Sequence, residues 1–192
     1  RLVKDADEMR RMRMAAEITA QGHLAAMRAA HPGAWEYELE GAAEGTFRRL
    51  GAERVGYPSI VGTGINATTL HYDKSRSQLQ AGELVVMDMG AEYGFYSADV
   101  TRTIPASGKF SPRQLSIYNL VLATQQAAMD SIRPGITMGR LGQISRDYMK
   151  AHSGDLCAPG TCDQYYIHGL GHWIGMDVHD VGNYGTPLAP NM

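Results

Sequence analysis

The segment LVVMDMGAEYGFYSADVTRTI, residues 84–104, constrains the fold most, because it sets acidic side chains inside two β-forming runs joined by a turn. The first run carries Asp88 among apolar residues, and the second carries Asp99. A turn centred on Tyr93 and Gly94 predicts an antiparallel hairpin in which Asp88 lies directly opposite Asp99, with Cβ atoms about 4.5–5.5 Å apart. The pattern therefore predicts two carboxylates on one face of a sheet.

Two like charges in such an apolar setting repel each other and need a neutralising partner. A shared proton, an arginine or a metal cation can provide it. Arg102 is the nearest basic residue, but strand alternation points it to the opposite face, so a cation is favoured. The prediction depends on the register, because a single bulged residue would put the two aspartates on opposite faces.

A second cluster of chemically active residues is HGLGHWIGMDVHD, which contains His168, His172 and His179. The first two have the spacing of a zinc-protease helix, but Gly169 stands where that motif requires glutamate. The glycines argue against a helix, so we expect an extended or looped backbone on which one histidine is a ligand and another a nearby donor. Polar turn residues without a catalytic role are the alternative for each histidine taken singly.

The rest of the chain alternates between helical and β-rich patterns. Helical spacing covers residues 5–30, 35–50, 111–132 and 138–150, with Gly51 as a left-handed C-cap and Ser111 as an N-cap. Residues 54–61 are β-rich, 62–66 form a turn, and 68–72 are predicted as a short strand that carries His71. The order helix, helix, strands, helix, helix, strands predicts one α+β domain over residues 1–192.

Composition excludes several classes of partner. The 18 basic and 20 acidic residues leave a formal charge of −2, so no cationic field attracts nucleic acid or an anionic membrane. The N-terminal RLVKDADEMRRMRM lacks an apolar signal-peptide core, and the compartment, cytoplasmic or exported, stays open. Cys157 and Cys162 lie in a loop-like stretch, where a small disulfide ring and two free thiols are equally compatible with the sequence.

Three segments together resemble one known family. LHYDKS (70–75), VVMDMGAEYGFYSADVTRTIPASGKFS (85–111) and HGLGHWIGMDVHDVG (168–182) are similar to the pita-bread metallopeptidases, and within them to the Xaa-Pro aminopeptidase branch, with prolidase next. The resemblance extends over nearly the whole chain. Methionine aminopeptidase fits less well, because it usually has a phenylalanine-histidine-glutamate step where this chain has Val178, His179 and Asp180.

The resemblance implies an α+β pita-bread fold and hydrolysis of the bond between an N-terminal residue and a following proline. It implies two divalent metal ions, Mn²⁺ by preference with Co²⁺ or Zn²⁺ as alternatives, and it assigns Asp88, Asp99 and His172 as metal ligands. It also assigns three histidines, His71, His168 and His179, to contact with the substrate or the tetrahedral intermediate.

The family pattern also contains parts that are not found in these 192 residues. Two glutamate ligands on final strands and an N-terminal domain are missing, so we expect a C-terminally incomplete catalytic domain with weak metal binding and little activity by itself. A full-length protein leaves room for a homo-oligomer. Two alternatives remain: a prolidase-type dipeptidase, and a metal-free peptidase-fold module that binds peptides or proteins.

Overall fold

The computed structural model of the chain describes residues 2–192 and contains four α-helices and six β-strands there. The helices are α1 (Ala6–Ala29), α2 (Glu36–Arg49), α3 (Pro112–Asp130) and α4 (Met138–Ala151). The strands are β1 (Arg54–Val55), β2 (Ile60–Thr63), β3 (Leu84–Met89), β4 (Ala91–Tyr93), β5 (Tyr96–Ser97) and β6 (Val100–Pro105). Short 3-10 helices cover Gly64–Thr68 and Cys162–Tyr165. No helix in the described part of the chain is long and apolar enough to cross a bilayer.

The chain divides into two compact units. The first comprises Val3–Phe110 and Ile174–Asp180, and the second comprises Leu2, Ser111–Trp173 and Val181–Met192. Helices α1 and α2 and all six strands belong to the first unit, while α3 and α4 belong to the second. The expectation of a single domain over residues 1–192 stays a prediction.

Helix α1 begins at a reciprocal cap. The Asp5 carboxylate accepts the N–H groups of Asp7 and Glu8 at 2.9 Å each, and the Glu8 carboxylate accepts the Asp5 N–H at 2.7 Å. These bonds satisfy donors that an uncapped first turn would leave without a partner. Helix α2 ends at Arg49, two residues before Gly51, whose φ of +97° confirms the predicted left-handed position.

A three-stranded antiparallel sheet in the order β2-β3-β6 packs one face against α1 and α2. Along β3, Val85, Met87 and Met89 are fully buried and join the core with Leu39 and Phe47 of α2. The alternate positions of β3, including Asp88, are only partly buried. The acidic side chain therefore leaves the sheet on the face opposite to the helices, as the pleat requires.

The predicted hairpin exists, but its predicted register is wrong. Tyr93 pairs with Tyr96, and the two turn residues Gly94 and Phe95 have φ of +56° and +71°. Both central residues are left-handed, as a type I′ hairpin turn requires. Because the turn lies one residue later than predicted, Asp88 pairs with Thr101 instead of Asp99.

The predicted strand at residues 68–72 is also wrong. The 3-10 helix Gly64–Thr68 occupies this part of the sequence and is followed by a turn that contains His71 at φ +55°. A left-handed residue cannot continue an extended strand. His71 is consequently carried by a loop.

In the second unit, α3 begins as predicted at Ser111. The Ser111 hydroxyl accepts the Gln114 N–H at 3.3 Å, and the Gln114 side chain accepts the Ser111 N–H at 2.8 Å. Pro112 takes the first helical position, where its missing N–H costs nothing.

The segment after α4 is held by a disulfide between Cys157 and Cys162, which decides the question that the sequence left open. Cys162 packs with Leu120 and Met149 in a small core, and Tyr166 covers it. The order of elements predicted strands after α4, and this prediction is wrong, since no strand follows Pro105 within residues 2–192. Instead, the glycine-rich histidine segment forms turns and bends.

Candidate metal centre

Asp88 and Asp99 lie together in the first unit, although not directly opposite each other. Asp88 is on β3, and Asp99 lies one residue before β6 and two before Thr101, the partner of Asp88. Residues two apart on a strand share a face, so the two aspartates are diagonal neighbours. The observed partner of Asp88 lies two residues after the predicted one. Because side chains alternate between the faces of a strand, a shift by an even number of residues keeps both carboxylates on the same face.

The hydroxyl group of Tyr57 joins the two carboxylates. Its oxygen lies 2.6 Å from Asp88 Oδ1 and 3.1 Å from Asp99 Oδ1. One O–H carries one proton, so the hydroxyl satisfies part of the demand of two acceptors and neutralises neither charge. Tyr57 could not be identified from sequence patterns, because it precedes Asp88 by 31 residues and belongs to no motif.

The electrostatics of the pair reflect this shortage of positive charge. Burial raises the pKa of Asp88, and the negative charge of Asp99 raises it further, against the Tyr57 hydrogen bond, which lowers it. Burial and the same two carboxylates raise the pKa of Tyr57, so the phenol remains protonated. A divalent cation would relieve the repulsion, and carboxylate oxygens are the donors that Mn²⁺ prefers.

The pair fits part of a metal site. Within residues 2–192, no group of three His, Cys, Asp or Glu side chains is close enough to hold an ion. The structure thus brings together Asp88 and Asp99 of the three predicted ligands. His172 belongs to the second unit, and its role as a ligand stays a prediction.

Two of the predicted catalytic histidines lie in the first unit. The imidazole rings of His71 and His179 have centroids 6.3 Å apart and are tilted by 42°. Both side chains are exposed. The structure therefore brings two histidines that are far apart in sequence to one place, where both rings are accessible to solvent.

Two further histidines of the predicted site, His168 and His172, lie in the second unit. Their backbone is irregular, as expected from the glycines between them. His172 is partly buried, and its Nδ1 lies 3.0 Å from the Trp173 carbonyl oxygen. A carbonyl can only accept, so Nδ1 donates here, and a neutral ring then has its lone pair on Nε2. This tautomer is the one that binds a metal through Nε2.

The backbone at His168 is held by Arg146 of α4. The Arg146 guanidinium donates to the carbonyl oxygens of Tyr166 and His168 at 2.8 and 3.3 Å. It also lies over the Tyr166 ring, 4.7 Å from the centroid. A planar fork that binds two carbonyls fixes their relative position, so the His168 segment is ordered despite its glycines.

A cleft of about 450 Å³ opens beside this segment in the second unit. Its walls include Met138, Leu170 and Tyr184, and Arg146 contributes its polar edge. A cavity of this size and mixed lining is in the range that binds small molecules or amino acid side chains.

Comparison with known proteins gives consistent matches. The model of metallopeptidase family M24 matches residues 10–192. A Xaa-Pro aminopeptidase of Haemophilus influenzae is 41% identical over 195 residues, which cover 96% of this chain and 45% of that protein. The Xaa-Pro aminopeptidase of Escherichia coli K12 is 38% identical over 206 residues, which cover 100% of this chain and 47% of that protein.

Solved structures agree with these relatives. Proline aminopeptidase P II from Yersinia pestis superposes with a TM-score of 0.91 at 38% identity, covering 100% of this chain and 48% of that one. A zinc-substituted E. coli aminopeptidase P in complex with product superposes with a TM-score of 0.89 at 38% identity, covering 100% of this chain and 47% of that one. The chain therefore spans about half the length of the proteins it matches.

Proposed function

Because the chain belongs to metallopeptidase family M24, we propose that it forms part of an aminopeptidase that cleaves the bond between an N-terminal residue and a following proline. The observation that carries the proposal is the pair Asp88 and Asp99 on one Tyr57 hydroxyl, in a chain 41% identical to a Xaa-Pro aminopeptidase over 96% of its length. Two carboxylates that repel each other are costly to keep in a metal-free binding module, which favours the metallopeptidase over that alternative.

Asp88, Asp99 and His172 are the proposed ligands from this chain. When bound, two divalent ions would polarise the scissile carbonyl and lower the pKa of an attacking water. Mn²⁺ is the preferred ion, since hard carboxylate oxygens suit it, and Co²⁺ or Zn²⁺ are alternatives. The protonated Tyr57 hydroxyl keeps one oxygen of each carboxylate in place.

His71, His168 and His179 are the proposed groups around the peptide. An imidazole N–H can donate to the scissile carbonyl oxygen or to the oxyanion that replaces it, where the developing charge strengthens the bond. The rings of His71 and His179, with centroids 6.3 Å apart, are close enough for both to donate to one carbonyl oxygen. Proline in the second position offers no N–H, so recognition there relies on shape.

The test combines metal titration with a length series of substrates. We expect Mn²⁺ binding by calorimetry, loss of activity with a chelator, and release of the first residue from an Xaa-Pro tripeptide. Cleavage restricted to dipeptides would establish the prolidase-type alternative instead. Peptide binding without any metal binding would establish the metal-free binding module and overturn the proposal.

Mn²⁺ binding and turnover should be measured for the 192 residues and for the protein at its natural length, side by side. Since only two of the proposed ligands lie together within residues 2–192, we expect the 192-residue chain to bind Mn²⁺ weakly and to turn over slowly. Full turnover by these residues alone would contradict that expectation.

A further inference from the structure

A fully buried carboxylate lies at the start of α2, away from Asp88 and Asp99. Glu36 is the first residue of the helix and has 0% of its surface exposed. Four groups donate hydrogen bonds to it, two from backbone N–H and two from side chains. A buried carboxylate is costly unless its lone pairs are satisfied. The four donors provide this, so they and Glu36 hold one another in place.

The two carboxylate oxygens divide the donors evenly. Oε1 accepts the Thr63 N–H at 2.8 Å and the Asn66 side-chain amide at 3.0 Å. Oε2 accepts the Ser77 N–H at 2.9 Å and the Tyr72 hydroxyl at 2.8 Å. Each oxygen therefore takes one main-chain and one side-chain donor.

These four donors define one segment of chain. Thr63 and Ser77 lie at its two ends, and the Glu36 N–H returns a bond to the Ser77 carbonyl at 3.0 Å. Between those ends the chain forms the 3-10 helix Gly64–Thr68 and then a loop without repeating structure. Glu36 closes this 63–77 loop at its base and holds its interior through Asn66 and Tyr72.

His71 lies within the 63–77 loop, directly before Tyr72. Its φ of +55° is unfavourable for a residue with a Cβ and persists only where the surroundings impose it. Its imidazole is exposed and has the His179 ring as a neighbour, with centroids 6.3 Å apart, so its position depends on how the loop backbone is held. The bond from Tyr72 to Glu36 is the nearest buried anchor along the chain.

We propose that Glu36 is a positioning residue for His71, acting through Tyr72 and the two ends of the 63–77 loop. The catalytic consequence rests on the proposed function, because it assumes that His71 contacts the peptide. A carboxylate is required at this position. An amide has one acceptor oxygen, so in either orientation its NH₂ group faces the Thr63 or the Ser77 N–H, and two donors repel.

The test uses Glu36→Gln and Tyr72→Phe in the protein at its natural length, with Glu38→Gln as the matched control. Glu38 lies in the same helical turn and is exposed, and it caps Trp35 N–H at 2.8 Å, which glutamine can also do. Tyr72→Phe removes the hydroxyl that donates to Glu36 and accepts from the Asn66 amide at 3.0 Å. It keeps the ring beside His71, so it remains informative if Glu36→Gln fails to fold.

The first readout is independent of activity. With ¹³C-labelled histidine, the His71 imidazole signal is identified by its loss in His71→Ala. We expect it to shift and broaden in Glu36→Gln and Tyr72→Phe and to stay unchanged in Glu38→Gln. A His71 signal identical to the wild type in both variants would overturn the proposal.

The second readout is kinetic, on an Xaa-Pro tripeptide with Mn²⁺. We expect Glu36→Gln to lower kcat by about 10- to 100-fold with little change in KM, and Tyr72→Phe to lower it less. In a His71→Ala background, neither change should lower kcat further, since the group they position is gone. An equal loss in both backgrounds would show a general structural role and overturn the proposal.

The two readouts separate this inference from the function on which it rests. A wild-type protein that fails to cleave Xaa-Pro peptides contradicts the proposed function. The His71 signal then still decides whether Glu36 fixes the position of that side chain.

Discussion

At the scale of single residues, Tyr57 shows how little neutralisation the acidic pair receives from the chain. Its hydroxyl contacts both Asp88 and Asp99, and its raised pKa keeps it a neutral donor. A lysine or arginine here would have cancelled one charge and competed with a cation. The neutral donor orients the oxygens and leaves their charge available for a metal.

His23 makes the first unit sensitive to acid. It is 3% exposed on α1, its Nε2 lies 3.4 Å from the Met89 carbonyl oxygen, and its Nδ1 has no hydrogen-bond partner within residues 2–192. Burial lowers its pKa, while the backbone oxygens of Met89 and Val100 oppose this effect. Between the unfolded pKa of about 6.5 and the lower folded pKa, the unfolded chain binds more protons.

We therefore predict that His23 contributes a loss in the free energy of unfolding as the pH drops below about 6.5, and that His23→Leu removes this contribution. Urea unfolding between pH 5 and 8 measures it. His31→Leu is the control, because it removes an exposed histidine instead of a buried one. Equal slopes for wild type and His23→Leu would contradict the prediction.

At the scale of elements, the helices were predictable and the hairpin register was not. Caps such as Ser111 and breakers such as Gly51 act within a few residues, so their chemistry can be identified in the sequence. The turn at Gly94 and Phe95 contains a large aromatic residue at φ +71°, which no propensity favours. Its position is set by strand pairing on both sides, which is a non-local effect.

The loop that carries His71 was missed for a similar reason. Residues 68–72 contain β-forming side chains, and local preference predicts a strand there. The donors to Glu36, from 27 to 41 residues away in sequence, hold the segment in another conformation. Likewise, the role of Tyr57 depends on contacts that spacing cannot indicate. The motif chemistry at Asp88 and Asp99 was predictable, whereas the residues that orient it were not.

Gly90 is the element-scale feature that allows the acidic pair to form. A Cβ at this position would lie 1.8 Å from the Ala98 carbonyl oxygen and 3.0 Å from Tyr57 Cε1. Backbone cannot yield as a flexible side chain does, so Gly90→Ala would force β4 and β5 to shift and would move Tyr57.

We predict that Gly90→Ala lowers the free energy of unfolding by about 1–3 kcal/mol and weakens Mn²⁺ binding. Urea unfolding and calorimetry measure the two effects. Gly41→Ala is the matched control: no atom lies within 4 Å of its added Cβ, and its position inside α2 should make alanine stabilising by up to about 1 kcal/mol. If Gly90→Ala were as stable as the wild type, the close approach of residue 90 to the Ala98 carbonyl oxygen would be contradicted.

At the scale of the whole molecule, the sequence motifs predicted the family and the fold class correctly. The match of family M24 to residues 10–192 and TM-scores of 0.91 and 0.89 to aminopeptidase P structures confirm the pita-bread fold. Of the residues proposed for the site, Asp88, Asp99, His71 and His179 belong to the first unit, and His168 and His172 belong to the second.

Without metal, the acidic pair is a source of instability at neutral pH. Burial and Asp99 raise the folded pKa of Asp88 above its unfolded value. The folded state then holds that proton to higher pH, so the free energy of unfolding decreases as the pH rises through the folded pKa. Asp88→Asn removes this ionisation, and we predict that the metal-free variant loses that decrease between pH 4 and 7.

Metal binding should make the wild type more stable than Asp88→Asn. Mn²⁺ at 100 times its Kd stabilises a folded protein that binds it by about 2.7 kcal/mol. We expect this gain for the wild type and none for Asp88→Asn, measured by thermal unfolding at pH 7 with and without Mn²⁺. Asp147→Asn is the control, since Asp147 is an exposed residue of α4 that accepts a hydrogen bond from Gln143. Mn²⁺ should stabilise this variant as much as the wild type. Equal stabilisation of wild type and Asp88→Asn would show that the ion binds elsewhere, because a ligand stabilises a fold only through the site that it occupies in the folded state.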